Sequence, residues 1–207
     1  MLTKLKQEVQ QMLTMEAKAA HSIGLTPNRI SGLGIILALS AALAYAEWKN
    51  WPFSLHTAII LLLLSGFCDA LDGVVARLYQ QTTAFGGFLD SLLDRYADAA
   101  VYVGIIMSGL LSGPCDLLWG LAALTGSLLV SYSRARAEAT NVKMESVGIA
   151  ERAERIIILV IASIVAIYWQ PTTVMGVAII LLAILSNLTV LQRSLYAYEK
   201  LKKKETD

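Results

Sequence analysis

Charge is scarce in this 207-residue chain: Asp, Glu, Lys and Arg together make up 16% of it, where a soluble domain carries about 25%. The few charges are clustered, so long apolar stretches lie between them, and 56% of the residues are hydrophobic. That balance excludes an ordinary soluble domain and points to a membrane protein, with lipid rather than nucleic acid as its surroundings. Cysteine is nearly absent. Cys68 and Cys115 are the two present, and they offer neither a disulfide framework nor a zinc spacing. The two histidines, His21 and His56, are too few for a histidine-based metal site. A signal-peptide core is missing as well, because residues 1–20 hold Lys4, Lys6, Glu8, Glu16 and Lys18 and no apolar run of the required length. What that segment does have is Leu2, Leu5, Val9, Met12 and Leu13 at helical spacing. It is expected to form a short amphipathic juxtamembrane helix over residues 1–22, lying on a membrane surface or, equally, solvated as a leader helix.

A spanning helix needs about 20 mainly apolar residues. Candidates run over roughly 30–46, 54–78, 87–111 and 116–137. The stretch from Ile156 to Gln192 carries no charge and is too long for one span. Pro171 near its middle is expected to divide it into two helices joined by a tight turn around Gln170–Thr173. The connections at 47–53 and 112–115 are short, so neighbouring helices are antiparallel. The expected fold is an all-α membrane protein. It has six transmembrane helices over residues 26–198, the juxtamembrane helix before them, and one domain over 1–207. On that arrangement the N-terminus, the 2–3 turn, the 4–5 loop and the C-terminus share one side. All of the 17 Lys and Arg except Lys49 fall on or near it, and the positive-inside rule makes that side cytoplasmic. The chain is thus expected to be a multi-pass protein of the cell membrane. The end from Lys200 to Asp207 is expected to fray.

Carboxylates are rare in membrane spans because burying their charge is costly. Here they concentrate at the ends of two adjacent helices. Asp69 and Asp72 are three apart on one helix face, and Asp90 and Asp94 are four apart on the next, with Asp98 a turn later. A short turn joins the two helices, so both pairs sit at similar depth. Four facing carboxylates need a cation, and oxygen-only ligands favour a hard divalent ion such as Mg²⁺, Mn²⁺ or Ca²⁺. Two ions bridged by shared carboxylates would suit phosphoryl chemistry. Gly73 and Ala76 keep the helix surface thin beside the acids, Gly86 and Gly87 do the same on the next helix, and Arg77 supplies a permanent cation for a phosphate oxygen. The competing reading pairs the acids with Arg77 and Arg95 in interhelical salt bridges, but two arginines cannot neutralise five acids.

The run Asp69-Ala-Leu-Asp72-Gly73-Val-Val-Ala76-Arg77, then Gly86, Asp90 and Asp94 at fixed gaps, resembles the signature of the CDP-alcohol phosphotransferase family. The resemblance implies six-helix membrane enzymes, usually homodimers, that move a phosphatidyl-like group from a CDP-linked lipid to an alcohol and release CMP. It implies that Asp69, Asp72, Asp90 and Asp94 bind two Mg²⁺ or Mn²⁺ ions, with Asp94 also the general base. It implies that Gly73, Arg77 and Thr83 contact the CDP part. Thr26-Pro27-Asn28-Arg29 is physically a helix start and resembles the family's N-terminal nucleotide-lining element.

A second cluster lies further on: Ser-Tyr-Ser-Arg-Ala-Arg-Ala-Glu over 131–138, Glu-Arg-Ala-Glu-Arg over 151–155, and Gln192-Arg193. Arginines converging there would form a pocket for a second anion, or they are the ordinary cytoplasmic flank paired with Glu138, Glu151 and Glu154. These segments resemble the branch of the family that makes phosphatidylinositol phosphate, and its archaeal counterpart. The resemblance implies that Arg134, Arg155 and Arg193 hold the phosphate of an inositol 1-phosphate acceptor, with CDP-diacylglycerol or CDP-archaeol as donor. Two rival readings are glycerol 3-phosphate as the acceptor, and a cation or proton transporter that uses the intramembrane acids as its path.

Overall fold

The computed structural model describes residues 13–113, 115–144 and 147–206. Seven helices and no strand occur among these residues. They are α1 (Thr14–Ser22), α2 (Pro27–Ala46), α3 (Ser54–Leu78), α4 (Ala84–Ser108), α5 (Asp116–Glu138), α6 (Arg152–Tyr168) and α7 (Pro171–Thr206).

Local chemistry sets the helix ends. Thr26 is extended and Pro27 opens α2, where its missing N–H costs nothing. Gln80 takes a left-handed conformation and the Gln81 N–H donates to the Ala76 carbonyl, which closes α3. Thr83 then caps α4 by accepting from the Gly86 N–H at 2.9 Å. That cap starts α4 three residues before the expected position. Gly109, at φ 75°, ends it in a left-handed turn. Trp169 is extended and Pro171 begins α7. The turn therefore lies at Trp169–Gln170, and Thr173 is already helical, because proline is better placed at a helix start than in a turn after one.

One further expectation needs correction, and one gains detail. The C-terminal end does not fray at Lys200: α7 continues to Thr206. Tyr196, Ala197 and Leu201 pack on the buried Ala137, Val142 and Met144, and Lys204 donates to the Asn141 carbonyl at 3.1 Å. The described part of the N-terminal helix does not lie free. Leu13, Ala17 and Ala20 are buried against Ile30 of α2 and Leu71, Val74 and Val75 of α3. The rest of that stripe, Leu2 to Met12, lies outside the described residues.

Small residues let the helices approach closely. Ser65 of α3 donates to the Gly34 carbonyl of α2 at 2.9 Å, and a Cβ on Gly34 would lie 3.3 Å from Cβ of Cys68. A Cβ on Gly104 of α4 would collide with the Ala42 carbonyl of α2. The buried Tyr45 hydroxyl of α2 lies 2.7 Å from Ser163 Oγ of α6. Around this core the outward faces are apolar, with Ile36, Leu63, Leu92, Leu118, Ile161 and Leu188 exposed.

By length and hydropathy three helices can cross a membrane: α2, α3 and α7, the last over Pro171–Lys204. The other three long helices fall short for visible reasons. α4 carries Asp90, Asp94, Arg95 and Asp98 within its first 15 residues. α5 begins on Asp116 and ends on Arg134, Arg136 and Glu138. α6 has 17 residues.

Candidate functional site

The close crossing of α2 and α3, with α4 returning beside them, brings the acids together. Carboxylate oxygens of Asp69, Asp72 and Asp90 lie within 4.8 Å of one another. Asp72 is buried; Asp69 and Asp90 are half-buried. They line a small open cleft together with Ser31, Asp94 and Arg152. An all-oxygen trio at this spacing fits a hard divalent cation. Like-charged carboxylates this close to each other are themselves an argument for one.

Asp94 lines the same cleft but stands apart from the trio. Its Oδ1 is 2.8 Å from Arg152 Nη1, and the same nitrogen is 2.8 Å from Asp69 Oδ2. Asp98 turns the other way. It accepts from Ser127 at 3.0 Å, from Arg152 Nε at 3.2 Å and from Arg155 Nη2 at 2.6 Å. The charges that meet the acids are thus Arg152 and Arg155. Arg77 and Arg95 make no close ion pair with the acids: Arg95 donates to the Ser91 carbonyl on its own helix and acts on Asp90 only at longer range, and Arg77 is exposed.

The residues expected on the nucleotide side fall into two sets of contacts. A Cβ on Gly73 would lie 3.4 Å from Arg77 Nη2, so the bare glycine lets the guanidinium lie along α3. A Cβ on Gly86 would lie 2.9 Å from Thr83 Oγ1 and 3.3 Å from Asn28 Oδ1. The Thr26–Arg29 element therefore reaches the start of α4. Arg29 donates back to the Gly24 carbonyl at 3.2 Å, and Thr26 makes no side-chain cap bond.

The three arginines of the second cluster are placed unequally. Arg155 and Arg193 are buried, at 3% and 2% exposure. Arg155 is tied to the Ala150 carbonyl at 3.0 Å. Arg193 is tied to the Val147 carbonyl at 2.8 Å and the Val130 carbonyl at 2.6 Å, with Glu151 at 3.5 Å. Arg134 is exposed and paired with Glu138 at 2.9 Å, though within electrostatic reach of Arg193.

Two site residues escaped the sequence reading. Ser31 donates to Asp72 Oδ2 at 2.5 Å. It sits one turn after Pro27, which was the available signal. Arg152 is the other; its signal was the spacing of Arg152 and Arg155, three apart on one helix face.

With that geometry in place, the likeness to known proteins is specific. Residues 24–191 match the CDP-alcohol phosphatidyltransferase family. The chain belongs to that family and is a transferase, which sets aside the transporter reading. It is similar to the archaetidylinositol phosphate synthase of Methanothermobacter thermautotrophicus, at 45% identity over 88% of each chain. It is also similar to that of Pyrococcus horikoshii, at 39% identity over 97% of this chain and 98% of the other. Among solved structures, the phosphatidylinositol phosphate synthase of Mycobacterium tuberculosis with CDP-DAG bound has a TM-score of 0.78 and 29% identity, covering 91% of this chain and 94% of its own. The same mycobacterial protein also has a structure in complex with manganese and citrate. The family depends on a divalent metal, and the acidic trio here fits one.

Proposed function

We propose that this chain transfers the lipid-phosphate group of CDP-diacylglycerol or CDP-archaeol to a hydroxyl of inositol 1-phosphate and releases CMP. The observation that carries this reading is the continuity of the two clusters. Asp98 binds Arg152 with one oxygen and Arg155 with the other, so the acidic cleft passes directly into the buried arginines. An acid cluster alone would suit any member of the family. The buried guanidinium groups of Arg155 and Arg193 beside it fix positive charge at the end of the cleft, which suits a second anion. The phosphate of the acceptor supplies that anion.

In this reading Asp69, Asp72, Asp90 and Asp94 hold two Mg²⁺ or Mn²⁺ ions. When bound, these would supply positive charge to the diphosphate oxygens and to the departing CMP. Ser31 fixes the Asp72 carboxylate through its 2.5 Å hydrogen bond. Gly73 and Arg77 receive the diphosphate and, with Thr26, Pro27, Asn28, Arg29 and Thr83, line the nucleotide pocket. Arg134, Arg155 and Arg193 hold the acceptor phosphate. Asp94 takes the proton from the acceptor hydroxyl. The hydroxyl oxygen attacks the phosphorus attached to the lipid, and the bond from that phosphorus to the CMP oxygen breaks.

The same reading makes the chain one domain with six membrane-spanning helices and a cytoplasmic active site. α6, at 17 residues, reaches the lower end of the spanning range. α4 and α5 expose Leu92, Val103 and Met107, and Leu117, Leu118 and Leu121, in the manner of a lipid-facing surface. The family resemblance brings a homodimer with it.

The test pairs each CDP-lipid with inositol 1-phosphate and with glycerol 3-phosphate, following CMP release and product mass. An inositol-phosphate lipid is expected. A glycerophosphate lipid as the sole product would replace this acceptor with its rival.

A further inference from the structure

The steps above leave one cation in the acidic cleft without a task. Arg152 opens α6 and reaches two other helices. Its Nη1 is 2.8 Å from Asp69 on α3 and 2.8 Å from Asp94 on α4. These are carboxylates that the proposed function gives to the divalent ions.

The way Arg152 is held differs from its neighbours. Arg155 and Arg193 are anchored by backbone carbonyls and almost fully buried. Arg152 is instead held by three carboxylates, and its side chain keeps 19% exposure. Nη1 sits between two acids, yet makes no hydrogen bond of good direction to either. Charge rather than directed bonding holds it there. A divalent ion brought to Asp69 and Asp94 would meet that guanidinium at close range, in a part-buried setting where like charges repel strongly.

We propose that Arg152 is a displaceable counter-ion: it neutralises Asp69 and Asp94, competes with the divalent cation for them, and moves aside as the cation binds. The proposal rests on the reading of these acids as cation ligands. A small hollow lined by Asp98, Arg152 and Arg155, and not by Asp69 or Asp94, adjoins the cleft and gives the side chain a direction in which to withdraw. The hydrogen bond from Nε to Asp98 at 3.2 Å does not involve Nη1, so it can act as a pivot while Nη1 leaves Asp69 and Asp94. Arg152 is thus a positioning residue. It holds two ligands on different helices at their spacing and limits when the site accepts its cation.

A purely structural brace and a displaceable counter-ion predict opposite signs for cation affinity. The measurement is a Mn²⁺ titration of the full-length chain in detergent, reading free Mn²⁺ by its electron paramagnetic resonance signal, with no turnover required. Arg152→Gln should bind Mn²⁺ about tenfold or more tightly than wild type, because the competing charge is gone. Arg152→Lys keeps the charge and loses the fork that touches both acids, so it should fall between the two. If Arg152→Gln binds no more tightly than wild type, or more weakly, Arg152 is a brace and the proposal fails. Should Arg152→Gln not give monodisperse protein, Arg152→Lys decides on the same sign. Absence of Mn²⁺ binding to wild type would instead overturn the assignment of the acids to a cation, and the competition with it.

Discussion

Asp90 and Asp94 stand one turn apart on the same helix face, yet they meet different neighbours. Asp90 joins Asp69 and Asp72 within 4.8 Å. Asp94 is offset toward Arg152 and the arginine side of the cleft. That offset is what a base needs if it is to meet an acceptor arriving from the arginines while the trio keeps the cation. Asp94→Asn should therefore leave Mn²⁺ binding measurable and lower CMP release by about 10²–10⁴-fold, the usual contribution of general-base catalysis. Turnover near wild type would remove Asp94 from that role. Ser31 offers a gentler test. Its loss in Ser31→Ala removes one hydrogen bond to a charged group, a contribution of about 1.5–3 kcal/mol, here to the placement of Asp72. Mn²⁺ affinity should weaken by about tenfold or more with the fold intact. An unchanged affinity would mean that Asp72 needs no such support. At this scale the sequence revealed the acids well, because their spacing is local. It concealed Arg152, because a contact from residue 152 to residues 69 and 94 depends on which helices pack together. The arginines weighed as counter-charges, Arg77 and Arg95, were those nearest in sequence.

The elements of the site work because α2, α3 and α4 cross at close range. Gly34 lies against Cys68, and Gly104 lies against the Ala42 carbonyl. At Gly104 the obstructing atoms are backbone, which cannot swing away as a long side chain can. Gly104→Val should force α2 and α4 apart and lower stability by about 1–3 kcal/mol, as overpacking does. The thermal unfolding midpoint in detergent reads this directly; a midpoint equal to wild type would show that the crossing has slack. Helix existence and order were legible from hydropathy, and the limits of α3 were read to the residue. The ends of α4 and α7 were not. Thr83 extends α4 backward through a cap that hydropathy does not register. The charged end of α7 stays helical because one side of it, through Tyr196, Ala197 and Leu201, covers Val142 and Met144. An apolar patch formed by a loop near residue 142 cannot be matched to a helix near residue 200 without the fold.

At the scale of the whole molecule, the remaining question is which side of the membrane holds the cleft. The acids, the arginines and the described residues of the 139–151 connection gather at one end of the bundle. The short connections at 47–53 and 109–115 gather at the other, where Trp48 of the first donates to the Ser108 carbonyl beside the second at 2.8 Å. Among the described residues Lys49 is the lone Lys or Arg at that far end, and the positive-inside rule leads us to propose that this end faces away from the cytoplasm. The two cysteines happen to report on this. Cys115 is exposed at the far end, and Cys68 is buried beside the acids. A membrane-impermeant maleimide applied to intact cells should therefore label Cys115. In a Cys115→Ser chain with Lys143→Cys, labelling should appear only after the membrane is opened, since position 143 lies in the 139–151 connection. The single-site design matters: with one exposed thiol per chain, each result belongs to one end of the bundle. Labelling of position 143 from outside intact cells, with Cys115 protected, would invert the orientation. It would place the acidic cleft on the side where a cytoplasmic nucleotide-linked donor does not reach.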